Sequence, residues 1–173
     1  MTIEFYFNKG IRFLINYFLK NTPFKDNTIY TEKKIFISLD SKGEYFLVGY
    51  IDRLVHNKET NIFEIHDYKT GSLKSQEELD EDRQLALYSI GIIETFKNVN
   101  NIKLVWHFLD SNKELISKRT MEQLIKLKGE IINLIKKIKS TKEFTTNKSN
   151  LCSWCEYKSK CPEFNKESLE RFI

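Results

Sequence analysis

The sequence predicts an α/β fold in which a central mixed sheet is flanked by helices, and three observations predict it. Residues 43–56 and 62–68 are rich in Tyr, Phe, Leu, Val and Ile and are separated by the polar stretch Asn57-Lys58-Glu59-Thr60-Asn61, so they read as an antiparallel hairpin. Segments whose apolar residues recur at helical spacing lie on either side of that hairpin. A short, almost wholly apolar run at residues 102–109 has the composition of a strand covered on both faces. With 173 residues, only six Gly and two Pro, the chain suits one domain with an ordinary core and no flexible linker. Its expected parts are an N-terminal helix (1–22), a core (28–110), a helix (117–142) and a cysteine-bearing segment (150–163).

In the first helix Phe7, Ile11, Leu14, Ile15 and Phe18 form an amphipathic pattern that Pro23 ends. Residues 28–39 alternate Ile35, Ile37 and Leu39 with Phe36 and Ser38, a strand that enters the hairpin through Asp40-Ser41-Lys42-Gly43. Glu32 on that strand could contribute to a metal site, but the ordinary reading is a solvated residue. With the hairpin turn centred on Glu59 or on the Glu59–Thr60 bond, paired positions sum to about 118 or 119, which sets Asp52 opposite His66 or Asp67. After the hairpin, Ser75-Gln76-Glu77-Glu78 has the form of a capping box and opens a helix to about Phe96, with Leu79, Ala86, Ile90 and Ile93 as its apolar positions. Gln84 and Tyr88, four residues apart, share one face of it. In the run at 102–109, Trp106 and Phe108 are core and His107 is a packed histidine beside Trp106. The last helix carries Leu124, Leu127, Ile131, Leu134, Ile135 and Ile138 as a stripe that packs on the sheet, with its lysines outside.

Two carboxylates opposed across a strand pair repel, and the usual compensation is a bound cation or a raised pKa. Side chains alternate along a strand, so Asp67 and Lys69 share a face and the Tyr68 carbonyl between them stays available. Two carboxylates and a carbonyl suit magnesium or manganese, and an adjacent lysine can orient or deprotonate a water, which is equipment for phosphodiester hydrolysis. Taken alone, Asp52 pairing with Arg53 or Lys69 at a sheet surface is the ordinary reading of so short a pattern.

The combination is more specific than its parts. Gly49-Tyr50-Ile51-Asp52, then Asp67-Tyr68-Lys69, then Gln84-x-x-x-Tyr88 resembles the PD-(D/E)xK nuclease superfamily, in particular the RecB and AddB nuclease domains and the CRISPR-associated RecB-like exonucleases. The resemblance runs from about Ile29 to the C-terminus. It implies a restriction-endonuclease-like core in which Asp52, Asp67 and the Tyr68 carbonyl bind Mg²⁺ or Mn²⁺, Lys69 serves the attacking water, and Gln84 and Tyr88 support the site from the helix. It also implies a DNA substrate with single-stranded ends, exonuclease action in repair, recombination or CRISPR adaptation, and protein partners in a helicase–nuclease or CRISPR integration complex. In the family a histidine ligand follows a first-helix glycine by four residues; here Gly10 is followed at that spacing by Leu14, and His56, His66 and His107 lie on later strands. The rival expectation is therefore a catalytically weak or inactive DNA-binding or scaffold subunit that retains the fold and a metal cluster.

All three cysteines, Cys152, Cys155 and Cys161, fall within ten residues. An odd thiol count is a poor disulfide framework, whereas Cys-x-x-Cys with a third cysteine nearby suits thiolate ligation of iron–sulfur or zinc; a reduced, metal-free segment is the alternative. The spacing resembles the C-terminal clasp of the AddB and CRISPR-associated branch, which implies a [4Fe–4S] cluster. The fourth cysteine of that branch precedes the first helix and has no counterpart here. Its place falls to a shortened N-terminus, a non-cysteine group or solvent, or the metal is a three-iron cluster or Zn²⁺, as in a zinc-bound interaction module.

The net charge of +4 is unevenly spread: residues 1–110 carry 14 basic and 16 acidic side chains, and residues 111–173 carry 14 and 8. The C-terminal lysines are a solvated helix face or a surface that tracks phosphates. No apolar run approaches the roughly 20 residues of a membrane span, and the start lacks the segments of a signal peptide, so a cytoplasmic location is expected.

Overall fold

The structure is a computed structural model and describes residues 2–99 and 101–164. The chain forms two compact units, Met1–Asn133 and Leu134–Ile173. The first holds α1 (Ile3–Asn21), β1 (Thr28–Ser38), β2 (Phe46–Asn57), β3 (Ile62–Lys69), α2 (Gln76–Glu81), α3 (Gln84–Thr95), β4 (Asn101–Phe108), β5 (Lys113–Ser117) and the start of α4 (Met121–Ser140). The strands make one sheet in the order β1-β2-β3-β4-β5. Only the β3–β4 pair is parallel, so the sheet is mixed, as the sequence predicts.

Each element has a local cause. The Thr2 hydroxyl caps α1 by accepting the Phe5 N–H, and Ser75 and Glu78 complete the reciprocal capping box that starts α2. The turn between β2 and β3 is held by Asn57 Oδ1, which accepts the N–H groups of Glu59 and Thr60. That turn sets the register: Asn57 pairs with Ile62 and Arg53 with His66, the second of the two expected registers. The core is Ile51, Leu54, Phe63, Ile65, Leu104 and Trp106 of the sheet against Leu79, Leu85 and Ile92 of α2 and α3, all buried. Two glycines let elements approach closely. A Cβ on Gly91 of α3 would lie 3.1 Å from both Ile35 and Ile37 of β1, and Gly49 faces Tyr88.

The structure corrects three expectations and adds one strand. The helix expected from Ser75 to Phe96 is two helices, because Asp82 is extended and its carboxylate accepts the Gln84 N–H, starting α3 afresh. Strand β5 lies in a segment whose sequence gave no strand pattern; its exposed edge position needs only one buried end, Ser117. In α4 the apolar stripe is buried only at Leu124, Leu127 and Ile131, and α4 is tied to α3 by Lys128 to Glu94 at 2.6 Å and Glu130 to Arg83 at 3.6 Å. On α1 the buried residue is Phe13, while Phe7, Ile11, Leu14, Ile15 and Phe18 are exposed.

In the second unit, Asn150–Trp154 and Lys158–Lys160 are 3₁₀ turns. The described residues contain no helix long and apolar enough to cross a membrane.

Candidate active site

The site begins where two strands part. Backbone pairing between β2 and β3 ends at Arg53 and His66; beyond it, β2 continues only with β1, and β3 only with β4. Asp52 sits at the mouth of this fork. On the other arm the Lys69 carbonyl is taken by the Leu109 N–H at 2.9 Å, and successive peptide groups of a strand point to opposite edges. The N–H and C=O of Tyr68 therefore point into the fork. There the Tyr68 N–H donates to Asp52 Oδ2 at 3.0 Å. The carbonyl expected to join the two carboxylates is thus on the edge of β3 that faces the fork.

Asp67 and Lys69 project together toward α3. Lys69 Nζ lies 2.8 Å from Asp67 Oδ2 and donates to Gln84 Oε1 at 2.8 Å, while Gln84 Nε2 donates to Asp67 Oδ1 at 3.0 Å. The Gln84 amide thus holds the acid with its donor end and the amine with its acceptor end. Its Nε2 is also 3.4 Å from the Tyr88 hydroxyl. Tyr88 reaches that position because residue 49 is glycine: a Cβ there would come within 2.4 Å of Tyr88 Cε1. All five residues expected at the catalytic centre stand in or beside the fork.

Asp67 is 3% exposed, and burial pushes its carboxyl pKa up from the usual carboxylate value. Lys69 opposes that shift, and the negative charges of Asp52 and Asp82 add to it. Its Oδ2 is buried without a hydrogen bond of adequate geometry, despite the ion-pair distance to Lys69. A desolvated acid with an unused oxygen, a second acid and a carbonyl fit a hard divalent cation such as Mg²⁺ or Mn²⁺. Among the described residues no three His, Cys, Asp or Glu side chains converge as a metal site. The groups that could hold such an ion are the Asp52 and Asp67 carboxylates and the Tyr68 carbonyl.

The decisive observation is that a family model spans this whole arrangement: the PD-(D/E)XK nuclease superfamily matches residues 9–162. The chain belongs to the PD-(D/E)XK nuclease superfamily. The mixed sheet and flanking helices of this nuclease fold are those expected from its sequence. Among solved structures it is similar to one titled "Crystal structure of SSO0001", with a TM-score of 0.46 and 18% identity over 88% of this chain and 68% of that one. No curated protein matches the sequence.

Two features around this candidate site escaped the sequence, and a third residue, Glu32, has an unexpected backbone. Asp82, two residues before Gln84, caps α3 and is held by Lys74 at 2.9 Å. Arg119 is buried and donates to the carbonyls of Leu79 at 2.6 Å and Asp82 at 3.1 Å, satisfying backbone groups left open by the helix break. An Asp just before a helical pattern is a cap signal that could have located the break; a lone Arg 37 positions away from Asp82 carries none. Glu32 is exposed, as expected, but adopts a left-handed φ of 50°. It lies between the pairs Thr31–Arg53 and Lys33–Ile51, and so opposite Asp52.

His107 is a packed histidine, but its partners are not Trp106, which points to the other face. It stacks between His66 and Tyr68 on the α1 side of the sheet, with His66 Nδ1 2.8 Å from its Nε2. Burial is the first cause that lowers the pKa of His66 to about 4 and that of His107 to about 3, and the Arg53 charge adds to it. Both rings are therefore neutral at physiological pH.

The three cysteines are free thiols, with Cys155 exposed and Cys152 and Cys161 partly covered. The Ser149 N–H donates to Cys152 Sγ at 3.3 Å. Lys148, paired with Glu163 at 2.7 Å, has its pKa raised first by that carboxylate and further by Cys152 and Cys161, which places two sulfurs near one ammonium. Their donor chemistry fits iron–sulfur or zinc, but the three sulfurs are not gathered into a set.

Proposed function

We propose that this PD-(D/E)XK protein is a Mg²⁺- or Mn²⁺-dependent deoxyribonuclease acting on single-stranded DNA ends. One observation carries the reading: Gln84 bridges Asp67 and Lys69 while Asp52 and the Tyr68 peptide occupy the adjoining fork. Asp52, Asp67 and the Tyr68 carbonyl are the residues that would hold the ion. The chemistry that a divalent ion supplies at such a donor set is neutralisation of phosphate charge and a lower pKa for water.

The chain's own groups supply the remainder. Lys69 donates to Gln84 Oε1 and is ion-paired with Asp67, and its remaining N–H can face a water or a phosphate oxygen, orienting the nucleophile and countering developing negative charge. Gln84 keeps that ammonium from collapsing fully onto Asp67. Tyr88 backs the amide from the next turn of α3.

The motif set Gly49-x-x-Asp52, Asp67-x-Lys69 and Gln84-x-x-x-Tyr88 supports the finer placement near the RecB and AddB nuclease domains and the CRISPR-associated exonucleases. Exonuclease action in repair, recombination or CRISPR adaptation, with helicase–nuclease or integration-complex partners, follows from that placement. The cysteine spacing and the N–H bond to Cys152 support a [4Fe–4S] cluster or Zn²⁺ at Cys152, Cys155 and Cys161. Iron, sulfide and zinc analysis of anaerobically purified protein tests the cluster.

The nuclease reading is tested with manganese and a labelled oligonucleotide. Cleavage that is lost in both Asp67→Ala and Lys69→Ala supports it. Cleavage that persists in both variants belongs to a contaminant, and no cleavage by the wild type leaves a DNA-binding subunit.

A further inference from the structure

The sheet has two faces and α1 covers only part of one. Tyr17 of α1 bonds the Tyr68 hydroxyl at 2.9 Å and packs on His107, so this helix shields β3 and β4. The same side of β1 and β2 is largely uncovered by the described residues. On these strands Ile35, Ile37, Gly49 and Ile51 face inward, and the alternate residues Phe36, Phe46, Val48 and Tyr50 are 62%, 62%, 46% and 53% exposed.

These residues form an ordered array. Phe36 pairs with Val48, Lys34 with Tyr50 and Ser38 with Phe46, so the large side chains stand in adjacent rows about 7 Å apart along each strand. The array carries a cation. Lys34, paired with Tyr50, places its Nζ 5.3 Å from the Phe36 ring centre and has no ion-pair partner among the described residues. Tyr50 is two residues from Asp52, so the array runs up to the mouth of the fork.

We propose that the exposed face of β1 and β2, formed by Phe36, Phe46, Val48 and Tyr50 with Lys34, is a stacking platform that binds single-stranded nucleic acid and leads its end to Asp52. Rings presented at alternate positions of a sheet offer π-faces to unstacked bases whatever their identity, and Lys34 beside them meets the phosphates. A duplex buries its base faces and gains nothing from such rings, so the platform selects single strands. A protein partner would be matched by an apolar patch without an unpaired cation, and Lys34 favours the polyanion. The proposal rests on the nuclease reading for the destination of the strand, not for the binding itself.

The test titrates a fluorescent oligothymidylate into the full chain in EDTA, and in parallel follows manganese-dependent hydrolysis of bis(p-nitrophenyl) phosphate by the wild type. Stacking contributes about 1–3 kcal/mol per base, so Phe36→Ser/Tyr50→Ser should weaken binding by tenfold or more while the melting temperature is kept. Tyr50→Trp should retain the affinity and show indole emission quenched by the bound bases, a signature that a merely structural change does not give. Lys34→Ala should lower the slope of log Kd against log salt by about 0.7. Unchanged affinity in the double variant overturns the platform, as does a wild-type dimer that the double variant breaks without loss of oligonucleotide binding, which marks a protein interface. Absence of diester hydrolysis by the wild type counts against the nuclease reading alone and leaves the titration to decide the platform.

Discussion

The ring of Tyr88 lies where a side chain on residue 49 would be, with Cε1 2.4 Å from the position of a Cβ on Gly49. A methyl group there forces the ring, and with it α3, away from β2. Overpacking of this kind costs about 1–3 kcal/mol. Gly49→Ala is therefore expected to lower stability and activity together, and Gly49→Ala/Tyr88→Leu to regain stability without regaining activity. Chemical denaturation beside the nuclease assay checks both; a fully active Gly49→Ala would show that Tyr88 has no part in the site.

Gln84 touches both the acid and the amine, so its two ends can be tested separately. Gln84→Leu removes both contacts and should reduce activity by about 10- to 100-fold, the usual effect of losing a group that orients a metal ligand. Gln84→Glu keeps an acceptor for Lys69 but sets a carboxylate against Asp67 Oδ1. A like charge at that distance raises the Asp67 pKa further. The acid limb of the rate–pH profile should move to higher pH in Gln84→Glu, and an unmoved limb would mean that Asp67 is not the group titrating there.

Burial raises the Asp67 pKa, so folding favours its protonated form. That stabilising contribution is complete below the unfolded-state value and is lost as pH rises through the folded-state one. A bound cation reverses the penalty on the anion. Manganese at a hundredfold excess over its Kd should stabilise the wild type by about 2.7 kcal/mol, several degrees in Tm. In Asp67→Asn the melting temperature without metal should equal or exceed that of the wild type, and the response to manganese should vanish. A manganese shift that survives Asp67→Asn would place the ion elsewhere.

His66 and His107 have the opposite sign. Their folded pKa values, about 4 and about 3, lie below the unfolded value near 6.5. Between these limits the unfolded chain binds more protons, so stability is complete above about pH 6.5 and falls as the pH drops toward 4 and then 3. Urea midpoints measured from pH 7.5 to 4 should fall, with near-UV circular dichroism of the stacked rings lost first. In His66→Asn/His107→Asn the slope across this range should be shallower. Equal slopes would mean that carboxylates elsewhere govern acid unfolding.

The sequence by itself determined four of the five strands, the hairpin to within two registers and the residues proposed for the site. Residues 57–61 are a local turn, so one loop length narrows the pairing of β2 and β3 to two neighbouring registers, and the spacing from Gly49 to Tyr88 is contained within 40 positions of chain. Alternation on β3 was enough to put Asp67 and Lys69 on one face. Only the tertiary structure decided that β2 and β3 part at Asp52, because the divergence comes from each strand's other neighbour, β1 or β4, and no local pattern records that competition. The break between α2 and α3 was hidden for the same reason: Arg119, distant in the chain, satisfies the carbonyls that make it tolerable. The largely uncovered face of β1 and β2 was also undecided, since an alternating apolar strand looks the same whether a helix, a nucleic acid or another chain lies upon it.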